Sequence, residues 1–538
     1  MNSSLEYTRQ PRLLVRRIVR LGFILASCTW IGSCGGGGTG SPPVIPPPAQ
    51  PPPATEQLSP IDVQMLVQAA ATAAESDAIV IAVVDRLGNI LGIYQPTTAP
   101  AMLPGNFGVL TPSNELAVSL ARTGAFFSND EAPLSSRTVR FISGRHFPPA
   151  VINTASAALY GIENTNRGCS LASGLSLTIP PATKIDGSSP GIGITTGKAD
   201  PEDTDAFAVN PGGVPIFKNG QEVGGIGVAA ADPKLAEYVA YAAAAMLALN
   251  GPNQMTDGIG IPPIPPPGVV TIAGITLPFV NQKTLPSEAN SPGTYDSSAF
   301  HAKLPSVLPP EGDLIPEKAG SQLTLTDVQQ IVTNAVATAN TTRAQIRLPI
   351  GVKAKMMIAV SDLDGTLLAL FRMRDATIFS IDVAATKARN VIYFSGSARQ
   401  APDLNQVPMG TAVTNRTIGF GAQPFFPSGI DGTPPGPFFN LYTMDVAAPC
   451  SQGLQVPSAA WPKVNQSGIV FFPGSEPLYK NGVLVGGLGV SGDGVDQDDF
   501  VTAGGAAGFE ADPSIRADQI VIDGVRLPFL KFPRNPTQ

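Results

Sequence analysis

A fourteen-residue stretch occurs twice in the chain, from Pro215 to Val228 and again from Pro477 to Val490. Both copies read Pro-x-x-Lys-Asn-Gly-x-x-Val-Gly-Gly-x-Gly-Val. Asn-Gly between apolar runs predicts a β-hairpin, because both central residues of a type I′ turn need a positive φ. A pattern of this length, kept 262 positions further along, predicts that the chain consists of two copies of one domain.

The segments around this hairpin repeat in the same order. Each copy opens with a predicted helix (59–74 and 323–339), followed by an apolar strand, a turn and a returning strand (78–94 and 356–371). A second helix, a long loop-rich excursion, the Asn-Gly hairpin and a last helix complete each copy. Because hairpins pair their strands antiparallel, we predict an α+β fold with two tandem domains, each an antiparallel sheet flanked by helices.

Domain boundaries follow from the repeat and from composition. The chain has 538 residues, too many for one ordinary core, and many of its 56 Gly and 54 Pro lie in connecting segments. The predicted segments are a signal (1–34), a Pro/Gly tether (35–57), domain 1 (58–280), a polar, Pro-rich linker (281–320) and domain 2 (321–538). With a net charge of −7, the chain gives no indication of nucleic-acid binding.

The N-terminus has the pattern of an export signal. Five arginines precede an apolar run at 21–31, which is too short to span a bilayer. Ile-Gly-Ser-Cys34 and the glycines after it resemble a bacterial lipoprotein signal, in which the cysteine is lipidated and becomes the first residue. Cys28 is the alternative lipidation site, and a plain secretory signal is the alternative to both. We therefore predict an exported protein, in the periplasm or at the cell surface, lipid-anchored to a bacterial membrane.

Cys169 and Cys450 are the cysteines that remain in the body of the chain, and they occupy matching points of the repeat. Each is followed by Ser and, a few residues later, by Gly-Leu. Two cysteines do not make a disulfide scaffold. The favoured prediction is two buried free thiols, with an interdomain disulfide across a pseudo-twofold axis as the alternative.

The second copy carries motifs that resemble the GlcG/HbpS family, also called the haem-degrading or DUF336 domain. The matching residues are Ile358-Ala-Val360, Asp362, Gly365, Arg372-Met373, Asp375-Ala376, Asp382 and Lys387-Ala388, with Gly486 to Gly492 and Asp498 as the closing motif. The first copy matches less well, because Tyr94-Gln95 replaces Arg-Met and Leu120 replaces the Lys. The resemblance implies a profilin-like fold. Since family members form dimers and rings, it also implies a domain pair within the chain, with a homo-oligomer as a further option.

The same resemblance implies binding of haem or a related tetrapyrrole, since some family members bind haem. Arg372, Met373, Asp375 and Lys387 are the predicted ligand-binding residues, with Arg372 and Lys387 as partners for haem propionates. The alternative is that Arg372, Asp375 and Lys387 hold the first hairpin against the second helix.

Few residues of this chain could ligate haem iron, and this limits the haem hypothesis. Haem iron takes His, Cys, Met or Tyr, and the chain has two His. His146, in the excursion of the first copy, is the candidate haem ligand, whereas His301 lies in the linker and is interpreted as solvated. The second copy has no matching His, so Met373, Tyr442 or Tyr479 would have to serve it.

Two other functions stay open. Asp362-Leu-Asp364-Gly-Thr resembles the first motif of haloacid-dehalogenase-type phosphatases, in which the first Asp accepts the phosphoryl group beside Mg²⁺. The chain returns directly as a strand after this motif, so an acidic β-turn is the favoured interpretation. A non-enzymatic structural or sensory docking module without a small ligand is the other alternative. The sequence favours a binding protein over an enzyme.

Overall fold

The computed structural model describes residues 54–172, 184–186, 191–196, 211–250, 270–280, 286–455 and 462–538. They belong to one compact unit, Pro47–Gln538. The α-helices of these residues are α1 (Pro60–Thr72), α2 (Ser113–Phe127), α3 (Ser136–Phe141), α4 (Pro233–Asn250), α5 (Leu325–Thr341), α6 (Ser380–Ser395), α7 (Asn415–Gly421), α8 (Phe439–Ala447) and α9 (Val495–Gly505).

The strands divide between the two repeats. In and after repeat 1 they are β1 (Val80–Asp85), β2 (Ile90–Tyr94), β3 (Met102–Pro104), β4 (Leu110–Pro112), β5 (Gly213–Lys218), β6 (Gln221–Ala229), β7 (Thr271–Ile272), β8 (Ile275–Thr276) and β9 (Phe300–Ala302). Before and within repeat 2 they are β10 (Gly312–Ile315), β11 (Met357–Ser361), β12 (Leu367–Arg372), β13 (Ser475–Lys480), β14 (Val483–Ser491), β15 (Val521–Ile522) and β16 (Val525–Arg526).

Each repeat builds a five-stranded antiparallel sheet, and the two sheets have the same strand order. The first runs β5–β6–β1–β2–β9 and the second β13–β14–β11–β12–β10. One face of each sheet packs against α2 or α6, and the other against a helix pair, α1 with α4 or α5 with α9. The predicted α+β fold, antiparallel sheets flanked by helices, is confirmed.

The repeated fourteen-residue stretch forms β5–β6 in repeat 1 and β13–β14 in repeat 2. Asn219 and Asn481 adopt φ of 49° and 52°, as the predicted turn requires. The glycines after the turn allow a helix of the same repeat to pack directly against the strand. A Cβ on Gly227 would lie 2.0 Å from the Ala117 carbonyl oxygen of α2, and the same clash occurs with α6 in repeat 2. The close approach that these glycines allow is therefore between a helix and a strand of the same repeat.

The predicted linker, residues 281–320, also completes both sheets. β9 pairs with β2 at the edge of the first sheet, and β10 pairs with β12 at the edge of the second. His301 lies on β9 and is exposed. Some of the residues that were expected to connect the domains therefore form the edge strands of the two sheets.

The excursions and the C-terminal segments contain short elements that match between the repeats. The matched segments 137–141 and 416–420 fall in the short helices α3 and α7. The strands near the end of each repeat, β8 and β16, are two residues long, because the proline two positions further on, Pro278 or Pro528, has no N–H for a ladder. None of the helices in the described part of the chain is long and apolar enough to cross a membrane.

The two repeats share one apolar core, which includes buried residues of α2 and α6 and of both sheets. Alternate strand residues point into it, for example Val80 and Ala82 from β1 and Met357 and Ala359 from β11. Equivalent positions meet across this interface: the rings of Tyr160 and Tyr442, each of which follows a Leu in its repeat, stack with their centroids 5.2 Å apart.

Cys169 and Cys450 form a disulfide between the repeats, with their Cα atoms 5.3 Å apart. The favoured prediction of two free thiols is therefore wrong, and the alternative of an interdomain disulfide is correct. Counting cysteines could not decide this, because the pairing depends on the approach of equivalent loops across the interface, which spacing along the chain does not show.

Candidate ligand-binding cavity between the repeats

A cavity of about 1010 Å³ lies between the repeats. Repeat 1 contributes residues 155–160 and the β7–β8 turn, 271–274. Repeat 2 contributes 471–473, the end of β14 with the first turns of α9, and parts of the C-terminal segment from Arg526 to Arg534. This volume is at the upper end of the range of small-molecule sites. Because both repeats build the walls, neither repeat alone would form this cavity.

Aromatic rings make much of the cavity wall. The rings of Phe127 and Phe379, one from each repeat, are stacked with centroids 4.4 Å apart. Phe471 and Phe472 continue the wall from the segment before β13. Tyr160 completes it from repeat 1. Such a wall suits a large, flat, apolar ligand.

The rim of the cavity is basic. Lys531 pairs with Asp496 at 2.8 Å and is mostly exposed. Arg526 and Arg534 are exposed, and neither has an ion-pair partner among the described residues. Arg343 donates from Nη2 to the Arg534 carbonyl oxygen at 2.9 Å. Cations at the mouth of an apolar cavity favour a ligand with carboxylates at one end.

One end of the cavity is polar and is formed by the first turns of α9. The Asp498 carboxylate accepts from Lys387 Nζ at 2.9 Å, and Nζ also donates to the Val490 carbonyl oxygen at 2.8 Å. The Lys387 ammonium lies 5.0 Å from the centroid of the Phe472 ring. Burial raises the pKa of Asp498 to about 7 and lowers the pKa of Lys387. Lys387, a predicted ligand-binding residue, thus lies behind two lining residues, Asp498 and Phe472.

Repeat 1 has an apolar pair at the position of this ion pair. A Cβ on Gly474 would lie 2.7 Å from both Asp498 Cβ and Lys387 Nζ. A Cβ on the matching Gly212 would meet Ala236 Cβ at 3.2 Å and Leu120 Cδ1 at 3.5 Å. The fold therefore accommodates either an ion pair or an apolar pair at this position.

Asp375 lies away from the cavity wall, in a buried set of charges between the repeats that we call the interdomain charge cluster (Arg86, Glu222, Arg347, Asp375 and Asp493). Its carboxylate pairs with Arg86 of repeat 1 and, at 2.5 Å, with Arg347 of repeat 2. Arg86 also pairs with Glu222 at 2.6 Å, and Arg347 pairs with Asp493. Burial opposes the ionisation of Asp375, but the two arginines outweigh it and lower its pKa to about 2.

Arg372 and Met373 are fully buried beside this cluster. Arg372 donates from Nε to the Ala376 carbonyl oxygen at 3.0 Å. Burial and the nearby Arg86 lower the pKa of Arg372 to about 9. Met373 Sδ accepts from the backbone N–H of Met356 at 3.4 Å. The part of Arg372 and Met373 in ligand binding stays a prediction, and so does the alternative in which Arg372, Asp375 and Lys387 hold the hairpin against the second helix.

His146 is buried, and its Nε2 lies 2.9 Å from Asp431 Oδ1 in the excursion of repeat 2. Its ring also stacks on Phe425, with centroids 5.9 Å apart. It does not line the cavity. The structure gives His146 a contact between the excursions, and its role as a haem ligand stays a prediction.

The other predicted iron ligands also lie outside the wall. Among the lining residues of the described chain, Tyr160 is the single one of a type that commonly ligates haem iron. Its ring stacks on Tyr442, whose hydroxyl donates to Glu163 Oε1 at 2.6 Å. Burial raises the pKa of Tyr442 well above its usual range.

The phosphatase-like motif forms the tight turn between β11 and β12. The Asp362 carboxylate accepts from the backbone N–H and the hydroxyl of Ser321, both at 2.7 Å. The two strands are antiparallel neighbours, whereas the phosphatase motif needs a strand that leads on to a helix. Within the described residues no group of three or more His, Cys, Asp or Glu could hold a metal ion. The acidic-turn interpretation fits this geometry.

Sequence reasoning missed several residues that the structure brings together. Arg86, Glu222 and Arg347 had no motif to mark them, and their partners lie far away along the chain. The basic C-terminal segment was also missed, although Arg526, Lys531 and Arg534 lie within nine residues in an otherwise acidic chain. Cys34 and Cys28 lie outside the described residues.

Comparison with known proteins identifies the second repeat. Residues 323–507 match the family model described as haem degrading protein HbpS-like, so repeat 2 carries an HbpS-like region. The predicted resemblance of the second copy is thereby confirmed, whereas the same family for repeat 1 stays a prediction. No curated protein matches the chain.

Three solved structures are similar to part of the chain. Klebsiella pneumoniae ORFY, a DUF336 protein, is 18% identical over 36% of this chain and 94% of its own, with a TM-score of 0.23. PduOC in complex with haem is 20% identical over 35% and 96%, with a TM-score of 0.23. A double mutant of Streptomyces reticuli HbpS is 19% identical over 38% and 97%, with a TM-score of 0.20.

Proposed function

We propose that this chain is an exported, lipid-anchored protein that binds haem or a related tetrapyrrole in the cavity between its repeats. The cavity is the observation that carries the proposal, because it combines an aromatic wall with a basic rim. The HbpS-like region in repeat 2, described as haem degrading, supports the choice of ligand class.

A haem site has to accommodate the flat ring, the propionates and the iron, and the lining residues fit the first two. Aromatic rings from both repeats offer apolar contact to the ring faces, and Arg526 and Arg534 offer cations to the propionates. For the iron, the described wall offers Tyr160 alone, whose ring is already stacked on Tyr442. Affinity is therefore expected to come from stacking and carboxylate pairing more than from iron ligation.

Haemin titration of the purified protein, followed by the Soret band, tests this proposal. We expect saturable binding to the wild type at micromolar haemin. We also expect at least ten-fold weaker binding to Ala158→Trp, because Ala158 is a half-buried lining residue and the indole would occupy the cavity. The matched control is Ala302→Trp, which is exposed on β9, does not line the cavity and should bind as the wild type does.

Two outcomes would contradict the proposal. Haemin binding that Ala158→Trp leaves unchanged would place the ligand elsewhere. A flat titration of the wild type at micromolar haemin would remove haem as the ligand and favour a docking module without a small ligand.

The disulfide supports the proposed export, since disulfides persist in oxidising compartments such as the periplasm. Lipid attachment is tested by expressing the full chain in a bacterium and separating membranes from soluble protein. We expect Cys34→Ala to move the protein from the membrane to the soluble fraction, while Cys28→Ala leaves it in the membrane fraction. The opposite pattern would assign the lipid to Cys28, and membrane retention of the double variant would contradict lipid anchoring.

A further inference from the structure

Asp496 lies between two cations in the wall of the cavity. Its Oδ1 accepts a hydrogen bond from Arg416 Nη2 at 2.7 Å, and its Oδ2 lies 2.8 Å from Lys531 Nζ. All three residues line the cavity. The side chain of Asp496 is 23% exposed, and those of Arg416 and Lys531 are 14% and 66% exposed. The carboxylate and both cations are therefore accessible from solvent.

Arg416 does not depend on Asp496 for a partner. Its Nε pairs with Asp499, which is fully buried behind the wall. The Asp499 carboxylate also accepts from the backbone N–H groups of Gly474 at 2.9 Å and Lys531 at 3.0 Å. This inner pair joins α7 to α9 and to the C-terminal segment. Asp496 therefore adds a second, outer carboxylate to an arginine that is already paired.

Repeat 1 builds the inner pair without the outer carboxylate. Arg137 of α3 donates to Glu237 of α4 through two hydrogen bonds, of 2.6 and 2.8 Å. Since Ala236 matches Asp498, the position of Asp496 is taken in repeat 1 by Lys234, which is exposed. The fold accepts a lysine at this position, so it does not require the carboxylate of Asp496.

Asp496 lowers the positive charge that the cavity presents to a ligand. The cations among the described lining residues are Arg343, Arg416, Arg526, Lys531 and Arg534. Asp499 neutralises Arg416 from behind the wall, and Asp496 neutralises Lys531. A ligand carboxylate placed beside Lys531 would also lie beside Asp496, and like charges repel. Each carboxylate that a ligand carries beyond those paired with Arg526 and Arg534 is therefore disfavoured.

We propose that Asp496 is a specificity-determining residue of the cavity, which favours tetrapyrroles with two carboxylates over those with four or more. This inference rests on the proposed function, because it concerns the same cavity and the same class of ligand. The exposed pair of Asp496 with Lys531 contributes little to stability. The competing role for Asp496 is to stabilise the first turn of α9, where the helix dipole favours a carboxylate.

Metal-free porphyrins test the proposal, since they differ in their number of carboxylates and contain no iron. Protoporphyrin IX has two carboxylates and coproporphyrin III has four. In fluorescence titrations we expect the wild type to bind protoporphyrin IX more tightly. Asp496→Asn should tighten the binding of coproporphyrin III roughly five-fold, the equivalent of one exposed charge contact. It should change the affinity for protoporphyrin IX less than about two-fold, because Arg526 and Arg534 suffice for two carboxylates.

Two further variants are the controls. Asp496→Asn/Lys531→Gln removes both charges of the outer pair and restores the net charge of the wild type, so the gain in coproporphyrin III affinity should disappear. Asp313→Asn makes the same change of charge on β10, where Asp313 is exposed and does not line the cavity. It should bind both porphyrins as the wild type does.

Damage to the fold would weaken binding, so the expected gain in affinity cannot arise from it. Unchanged or weaker coproporphyrin III binding by Asp496→Asn, or an equal gain for both porphyrins, would overturn the inference and leave the cavity as the binding site. Lower thermal stability with unchanged affinities would assign Asp496 to the helix end. Binding of haemin without protoporphyrin IX would also overturn the inference, because affinity would then depend on iron. If the wild type binds neither porphyrin nor haemin, the proposed function itself fails.

Discussion

Replacing Cys169 and Cys450 together by serine is expected to lower the free energy of unfolding by about 3–5 kcal/mol. The bond joins residues 281 positions apart, so the loop that it closes is very long. A long loop has high conformational entropy in the unfolded chain, and the cross-link removes much of it. In the folded protein the bond also joins the two repeats at matching loops. Urea unfolding followed by circular dichroism, with and without the substitutions, measures the loss.

A reducing agent provides the control for this experiment. It should shift the wild type to the midpoint of the Cys169→Ser/Cys450→Ser variant and leave the variant unchanged. Because the protein has two sheets, the transition need not be two-state, and the midpoint and the number of transitions should both be recorded. If the oxidised wild type and the variant unfold at the same urea concentration, the bond contributes nothing to stability.

The sequence was sufficient for the repeat and its hairpins because turn chemistry is local. Asn219 and Asn481 need a positive φ whatever surrounds them, so an Asn-Gly pair between apolar runs predicts its own geometry. The replacement of Lys387 by Leu120 between the copies was also visible in the sequence. The structural consequence of this replacement was not visible, because the partners of these residues, Asp498 and Ala236, lie on another helix of each repeat.

Contacts between the repeats could not be predicted in the same way. Arg86 and Asp375 are 289 positions apart and carry no common motif, although they form a buried ion pair. The cavity depends on the same long-range packing, since its wall combines Phe127 of repeat 1 with Phe379 of repeat 2. Local patterns determine the structure of each repeat. They do not determine the surface on which the repeats meet or the site that is built there.

The interdomain charge cluster is a second contact between the repeats whose disruption should be strongly destabilising. Asp375→Asn is expected to lower the free energy of unfolding by about 3–5 kcal/mol, because Arg86 and Arg347 would lose a shared buried partner. Asn is the suitable replacement, since residue 375 has a φ of 62° and Asn tolerates that conformation. The matched control is Glu131→Gln. Glu131 pairs with the same Arg347 at 2.7 Å but its side chain is 35% exposed, so its loss should cost less than about 1 kcal/mol.

The pH dependence of stability shows how much of the contribution of Asp375 comes from its negative charge. Its pKa is lowered to about 2 in the folded protein from an ordinary 3.8, so its charge stabilises the fold above about pH 4 and this contribution is lost as the pH falls towards 2. The stability difference between the wild type and Asp375→Asn should therefore be present at neutral pH and shrink below about pH 4. If Asp375→Asn is as stable as Glu131→Gln at pH 7 but binds haemin more weakly, Asp375 serves the ligand, as the family resemblance implies. A large loss of stability with unchanged haemin affinity assigns it to holding the two repeats together.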